Sequence, residues 1–220
     1  MKISKIASQK TNKGRCNIYL DGEFAFGVDK EFVFSENLKE GKNLTEEEIS
    51  RIVEKDLEKK LFDKACHFLS YRPRSRQEIR NNLWKKVRKL KKETVEQVNK
   101  EALIERVLDK LSDLGYVDDS EFASWWVKQR IQFKPRGKYL LKSELFKKGV
   151  DRQTIKTELV KYTQDDELAW ARSLLEKKRS RYKALSKNEQ REKLSKLLVR
   201  RGFSWDIVNQ VLEKFFEDYS

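Results

Sequence analysis

Two short phrases carry the residues best suited to chemistry, Tyr71-Arg-Pro-Arg-Ser-Arg76 and Phe133-Lys-Pro-Arg-Gly-Lys138. Each sets an aromatic residue ahead of a proline flanked by basic residues, and the chain has no other proline. Proline cannot continue the helix before it, and the residues after it start the next one. A cation beside an exposed helix N-terminus is a phosphate site, because unpaired N–H groups and the helix dipole add to the side-chain charge. The chemistry expected is therefore anion binding, by Arg72, Arg74 and Arg76 at the first turn and by Lys134, Arg136 and Lys138 at the second. A structural turn with solvated cations is the competing reading. Repetition of the phrase gives the binding reading equal weight.

Further cations extend these sites. The segment Trp84-Lys-Lys-Val-Arg-Lys-Leu-Lys-Lys92 holds Lys85, Lys86, Arg88 and Lys89, and reads as a solvated basic stretch able to reach phosphate without fixed geometry. Residues 128–148 contain eight basic side chains, Arg130 among them, against Glu144 alone. Lys138 and Lys142 lie four apart on one helix face, as do Lys177 and Arg181. Residues 172–201 carry twelve basic and three acidic residues and include Lys177, Lys178, Arg181, Arg200 and Arg201. Residues 1–60 have twelve charges of each sign, so the whole net charge of +14 belongs to the rest of the chain. Nucleic acid is the commonest partner of such a bias, and an anionic membrane is its rival. No segment approaches the roughly 20 apolar residues of a spanning helix, and the start Met-Lys-Ile-Ser-Lys lacks a signal-peptide apolar core.

Catalytic patterns are missing from the sequence. There is no Gly-rich phosphate loop and no nucleophile beside a base, and the lone His67 reads as a structural residue of an apolar stripe. Cys16 and Cys66 stand far apart without metal-ligand spacing, which predicts no disulfide framework, no metal and a reducing, cytoplasmic compartment. The carboxylate pairs Asp118-Asp119 and Asp165-Asp166 fall where helices start and are accounted for by capping. No cofactor is expected. Of the five tryptophans, Trp126 and Trp170 follow core spacing. Trp125, about 100° round the helix from Trp126, is the one placed to meet a partner.

What must position these residues is a helical repeat. Leu111-Ser-Asp-Leu-Gly115, Leu145-Phe-Lys-Lys-Gly149 and Leu198-Val-Arg-Arg-Gly202 are each followed by apolar residues and a helix-starting Asp or Ser. This is the sequence of a helix closed by a left-handed glycine, an apolar return and a new cap. The glycines are expected to set helix angles and to contact nothing themselves. Thr45 and Glu48 start a long first helix, a third helix is read from near Thr94, and two further triplets follow. Ahead of them, Ile18 to Phe26 reads as a hairpin around Asp21-Gly22, with an earlier strand near Lys2 to Gln9. The fold class is mainly α: three tandem three-helix, helix-turn-helix-like repeats in an elongated curved array, with a small N-terminal β-hairpin subdomain. The domains expected are 1–44, 45–117, 118–163 and 164–220.

Three stretches give a more specific signal. Ala65-x3-Leu69-x2-Arg-Pro-Arg-Ser-Arg-Gln-Glu-Ile-x3-Leu83, Leu111-x3-Gly-Tyr-Val-Asp-Asp-x2-Phe-Ala123 and Arg130-x5-Arg-Gly-x7-Leu-x3-Gly149-Val resemble the RecX regulatory proteins over residues 57 to about 215. The β-rich start resembles an extension on longer, Gram-positive-type members and lies outside the shared motif. The resemblance implies a cytoplasmic, monomeric, non-enzymatic regulator in DNA repair, recombination and the SOS response. It would bind the RecA filament on single-stranded DNA, with duplex DNA as a further ligand, and inhibit RecA ATP hydrolysis and strand exchange. The positions it carries over are Arg74, Ser75, Arg76 and Glu78, then Tyr116, Asp118, Phe122, Ala123, Arg130, Gly137 and Gly149. The alternative is a stand-alone helix-turn-helix transcription regulator, whose recognition helix would read base edges. The helix from Asp151, with Gln153, Thr154 and Lys156, does not have that character.

Overall fold

Three short strands, β1 (Ile3–Ser8), β2 (Arg15–Leu20) and β3 (Glu23–Asp29), form an antiparallel sheet in the order β1-β2-β3. Asp21 and Gly22 make the β2–β3 turn with positive φ, as the sequence predicts. Cys16 pairs with Val28 and Ile18 with Phe26, so the alternation of these strands puts one apolar face inward. That face packs on Leu38, Leu44 and Ile52. So small a sheet is not stable alone, and here it is seated on α1 (Lys30–Ser35) and on α2 (Glu46–Leu69). The computed structural model describes residues 1–89 and 98–218.

Asp56, buried in α2, fastens the sheet. It accepts from both Arg15 guanidinium nitrogens at 2.9 and 3.0 Å and from the Asp29 amide at 2.8 Å, and pairs with Lys60 at 2.7 Å. Burial pushes this carboxyl up, but the hydrogen bonds from Arg15 and Lys60 outweigh it and hold the pKa below its ordinary value. A depressed folded-state value means the contribution is complete above the ordinary carboxylate range and is lost as pH falls through the folded value. Asp56→Asn should therefore flatten the acid limb of stability against pH, measured by urea unfolding between neutral and acid pH. An unchanged limb would assign it to other carboxylates.

Beyond the sheet everything described is helical: α3 (Arg76–Val87), α4 (Lys100–Asp113), α5 (Asp119–Phe133), α6 (Lys138–Lys147), α7 (Arg152–Val160), α8 (Gln164–Tyr182), α9 (Lys187–Arg200) and α10 (Trp205–Glu217). The helix start read near Thr94 lies outside the described residues, as do Lys91, Lys92 and Tyr219; α4 opens on an Asn99 cap. Thr45 and Glu48 form the expected capping box on α2. The chain divides into two compact units, Met1–Arg72 with Ile79–Tyr116, and Pro73–Glu78 with Val117–Ser220. In the first unit α2 packs against α4, and Leu61, Ala65, Ile79, Leu83, Ile104 and Leu108 are buried. In the second, one apolar cluster runs from Phe122 and Leu141 to Trp170, Leu198 and Phe215.

All three glycine phrases close as expected. Gly115, Gly149 and Gly202 have φ of 71–81°, and the amide after each returns to the carbonyl of Leu111, Leu145 or Leu198. Val150 and Phe203 are the buried returns; in the first phrase Tyr116 is exposed and Val117 takes that role.

The expectation that these glycines touch nothing holds for Gly115 alone. A Cβ on Gly149 would lie 2.3 Å from the Cβ of Gln77, and one on Gly202 would lie 2.4 Å from the Cβ of Leu140. Here the start of one repeat's second helix meets the end of the next repeat's second helix. The same joint is built twice in the second unit. The Arg76 amide donates to Asp119 at 2.8 Å, and the Lys138 amide, equivalent in the repeat, donates to Glu167 at 2.9 Å. The Ser75 hydroxyl donates to the Lys148 carbonyl at 2.6 Å, and the Gly137 amide to the Arg201 carbonyl at 2.9 Å. In the last repeat, Ser186 and Glu189 close the start of α9 with a capping box of their own.

Candidate functional site

These joints change what the two proline turns can do. The first amides of α3 and α6, expected to be open to phosphate, are taken by Asp119 and Glu167. Burial pushes the Asp119 carboxyl above its ordinary value, against the Arg76 amide and charge that favour its ionised form. Asp119 is therefore a joint residue rather than a cap of its own helix, a role filled by Asp118. Ser75, fully buried, caps α3 through the Glu78 amide. Arg72, Arg74 and Arg76 are half-buried and engaged with other groups of the molecule. Tyr71 and Phe133, the aromatic residues ahead of the turns, are exposed.

A denser charge cluster sits beside the second turn. Glu144 of α6 accepts from the Trp126 indole nitrogen at 2.9 Å and from Arg130 Nε at 2.8 Å, both on α5, and pairs with Arg136. The Arg130 guanidinium lies 4.2 Å from the centre of the Trp126 ring, and Lys148 Nζ lies 4.9 Å from it while also pairing with Glu78 at 2.5 Å. Burial, then the charges of Arg130 and Arg201, push the Arg136 guanidinium below its ordinary pKa. Burial does the same to Arg130. Arg136 Nε finds no hydrogen-bond partner among the described residues. Three arginines thus converge where Glu144 is the paired carboxylate, so the cluster keeps a surplus of positive charge.

The other sequence-read cations fall in three classes. Lys138 is half-buried and its Nζ donates to the Tyr162 carbonyl at 2.6 Å, while the side chain still lines the same groove as Lys142, the face they were expected to share. Lys85, Lys86, Arg88, Lys89, Lys134, Lys142, Lys177, Arg181 and Arg200 are exposed, with Arg88 5.8 Å from the Trp84 ring centre. Lys178 and Arg201 are half-buried. Two further expectations need correction. His67 is exposed and pairs with Tyr71 at 3.2 Å rather than lying in the buried stripe. Trp125 is half-buried against the core, and the exposed tryptophan is Trp205. The sequence reading missed Glu144, Trp126, Asp119 and Glu167 as site-forming groups. Glu144 had a signal, being the one acid among the eight bases of residues 128–148.

Among the described residues no three His, Cys, Asp or Glu side chains are grouped to hold a metal ion, and no helix is long and apolar enough to cross a membrane. Burial, then the Asp63 charge, push the Cys66 thiol up, away from thiolate chemistry.

Comparison with known proteins accounts for the triplets and also for the sheet. The regulatory protein RecX N-terminal domain matches residues 1–45, which brings the sheet inside the family pattern rather than outside it. The first, second and third three-helix domains of RecX match residues 62–87, 118–159 and 165–212. The regulatory protein RecX of Bacillus velezensis is 38% identical over 212 residues, covering 96% of this chain and 76% of the relative. That of Clostridioides difficile is 33% identical over 219 residues, covering 99% and 98%. A crystal structure of regulatory protein RecX superposes with a TM-score of 0.67 at 29% identity, over 96% of this chain and 98% of the other. The structure of RecX from Lactobacillus salivarius gives 0.59 at 26% identity, over 72% and 96%. With the sheet and all three helical triplets matched in order along nearly the whole length, this chain belongs to the RecX family of regulatory proteins.

Proposed function

We propose that this chain is a non-enzymatic, cytoplasmic regulator that acts as a monomer on the RecA recombinase filament assembled on single-stranded DNA, and slows its ATP hydrolysis and strand exchange. The observation that carries this reading is membership of the RecX family along nearly the whole chain. The charge distribution supports it, since the entire cationic excess lies after residue 60, in the helical repeats. The contacts are assigned to the exposed cations, from Lys85, Lys86, Arg88 and Lys89 to Lys134, Lys142, Lys177, Arg181 and Arg200, together with the Arg130–Arg136–Arg201 cluster. A phosphate near that cluster would meet the guanidinium charge that Glu144 alone does not neutralise.

The test is the rate of RecA's DNA-dependent ATP hydrolysis and strand exchange with this protein added in stoichiometric amounts. Both should fall. Binding made of many phosphate contacts predicts that each single reversal, such as Arg181→Glu, lowers the slope of log affinity against log salt by about 1. Reversing Lys177, Arg181 and Arg200 together should abolish inhibition. An unchanged recombinase, alongside tight and sequence-specific duplex binding, would replace this reading with that of a transcription regulator.

A further inference from the structure

The second repeat carries an open groove that the cation list does not explain. It lies between α6 and α7, with a volume of about 840 Å³. On the α6 side Tyr139, Lys142 and Phe146 recur at i, i+3 and i+7, and on the α7 side Arg152, Lys156 and Val160 recur every four residues. Tyr139 is 80% exposed, Val160 74% and Phe146 58%, and all three gather on this one groove. Ile155 and Leu159 form the floor between them. No carboxylate lines the groove. Lys142 and Lys156 make no ion pair among the described residues, while Arg152 rests 5.9 Å from the centre of the Phe146 ring.

We propose that this groove is a docking site for an amphipathic helix with acidic flanks, presented by a partner protein. Aromatic anchors beside an aliphatic floor, with Lys142 and Lys156 unpaired at the rim, are the pattern of a helix-binding groove: apolar side chains enter at helical spacing and the charged rim selects the flanks. The separation of seven positions from Tyr139 to Phe146 places these anchors about 10 Å apart, near two turns of a bound helix. A nucleic-acid strand shares the charge requirement but stacks on flat aromatic faces. Here the two rings stand at opposite ends, and aliphatic Ile155, Leu159 and Val160 offer no such face between them. The sequence pattern singles out Lys142 among these residues but neither Tyr139 nor Phe146. This proposal does not depend on the recombinase reading, and its test uses neither DNA nor recombinase as the primary ligand.

The probe is a fluorescein-labelled synthetic helix of about four turns, with leucine at i, i+3, i+4 and i+7 and glutamate on the flanks, titrated with the full chain by anisotropy. A twin peptide carries lysine for glutamate. The acidic peptide should bind and its twin should not. Tyr139→Ala with Phe146→Ala should weaken binding about tenfold or more, as loss of paired aromatic anchors does. Lys142→Glu with Lys156→Glu should reverse the preference toward the lysine twin. All four side chains are exposed, so the variants should match the parent in thermal unfolding, and that is checked first. Binding of neither peptide, equal binding of both, or indifference to either pair of substitutions would overturn the proposal. So would an oligothymidylate that displaces the acidic peptide and itself loses affinity in the Tyr139→Ala, Phe146→Ala variant, which would make this a nucleic-acid groove.

Discussion

Gly137→Ala should destabilise the second unit by about 3–5 kcal/mol, the sum of forced overpacking and a disrupted hydrogen bond. The backbone conformation is not the obstacle, since Gly137 has φ of −69°, which any residue adopts. The obstacle is what a Cβ would meet: the Gly202 carbonyl oxygen at 2.1 Å, its carbon at 2.4 Å and the Phe203 nitrogen at 2.5 Å. These are backbone atoms of the turn between α9 and α10, which cannot rotate aside. To make room the turn must withdraw from α6, and the bond from the Gly137 amide to the Arg201 carbonyl goes with it. Gly115→Ala is the control. It also demands an unfavourable backbone, with φ of 71°, but has no atom within 4 Å of the added methyl, so it should cost only about 1–2 kcal/mol. Urea unfolding followed by tryptophan fluorescence measures both, with Trp125, Trp126, Trp170 and Trp205 reporting on the second unit for Gly137→Ala, and Trp84, isolated in a variant that lacks the other four, reporting on the first unit for Gly115→Ala. Equal losses for the two variants would refute the joint as the cause.

Glu144→Ala should cost about 2–4 kcal/mol, somewhat below the usual loss for breaking a fully buried pair because the partners keep some solvent. The Glu144 side chain is 12% exposed, against 26% for Arg130 and 24% for Arg136. Its removal leaves two guanidinium groups without their carboxylate and the Trp126 indole N–H without its acceptor. Glu144→Gln keeps an oxygen for the indole and for one guanidinium, and should lose about half as much. The same cluster predicts a ligand effect. An anion that binds only the folded cluster stabilises in proportion to its occupancy, so phosphate should raise the melting temperature of Glu144→Gln more than that of the unchanged protein at matched ionic strength. An identical response in both would mean that the surplus guanidinium charge does not bind anions.

Helix identity was legible in the sequence because its signals are local. The Thr45–Glu48 box, the Asp21-Gly22 turn, the proline turns and the glycine closures each depend on a few neighbouring residues and their backbone preferences. The same locality explains the errors. His67 reads as part of an apolar stripe because periodicity fixes a face only to within a side chain or so, and it lies just outside the buried arc. Trp125 and Trp126 diverge on the helix, yet a neighbouring part of the core covers both.

By itself the sequence determined that the chain is a series of helical triplets behind a small sheet, with its excess of positive charge in the helical part. Capping, helix closure and net charge are properties of short segments, and they act the same way wherever the segment lies. Only the tertiary structure decided which of those cations and helix ends face outward. Asp119 and Glu167 lie 43 and 29 residues from the amides they satisfy, and such distant pairings follow from packing, which no local preference encodes. Packing turned the first amides of α3 and α6 into joints, tied the Lys138 ammonium to the Tyr162 carbonyl and gathered Arg130 and Arg136 on Glu144. It also left Tyr139 and Phe146 standing in the open, beside cations with no carboxylate to meet.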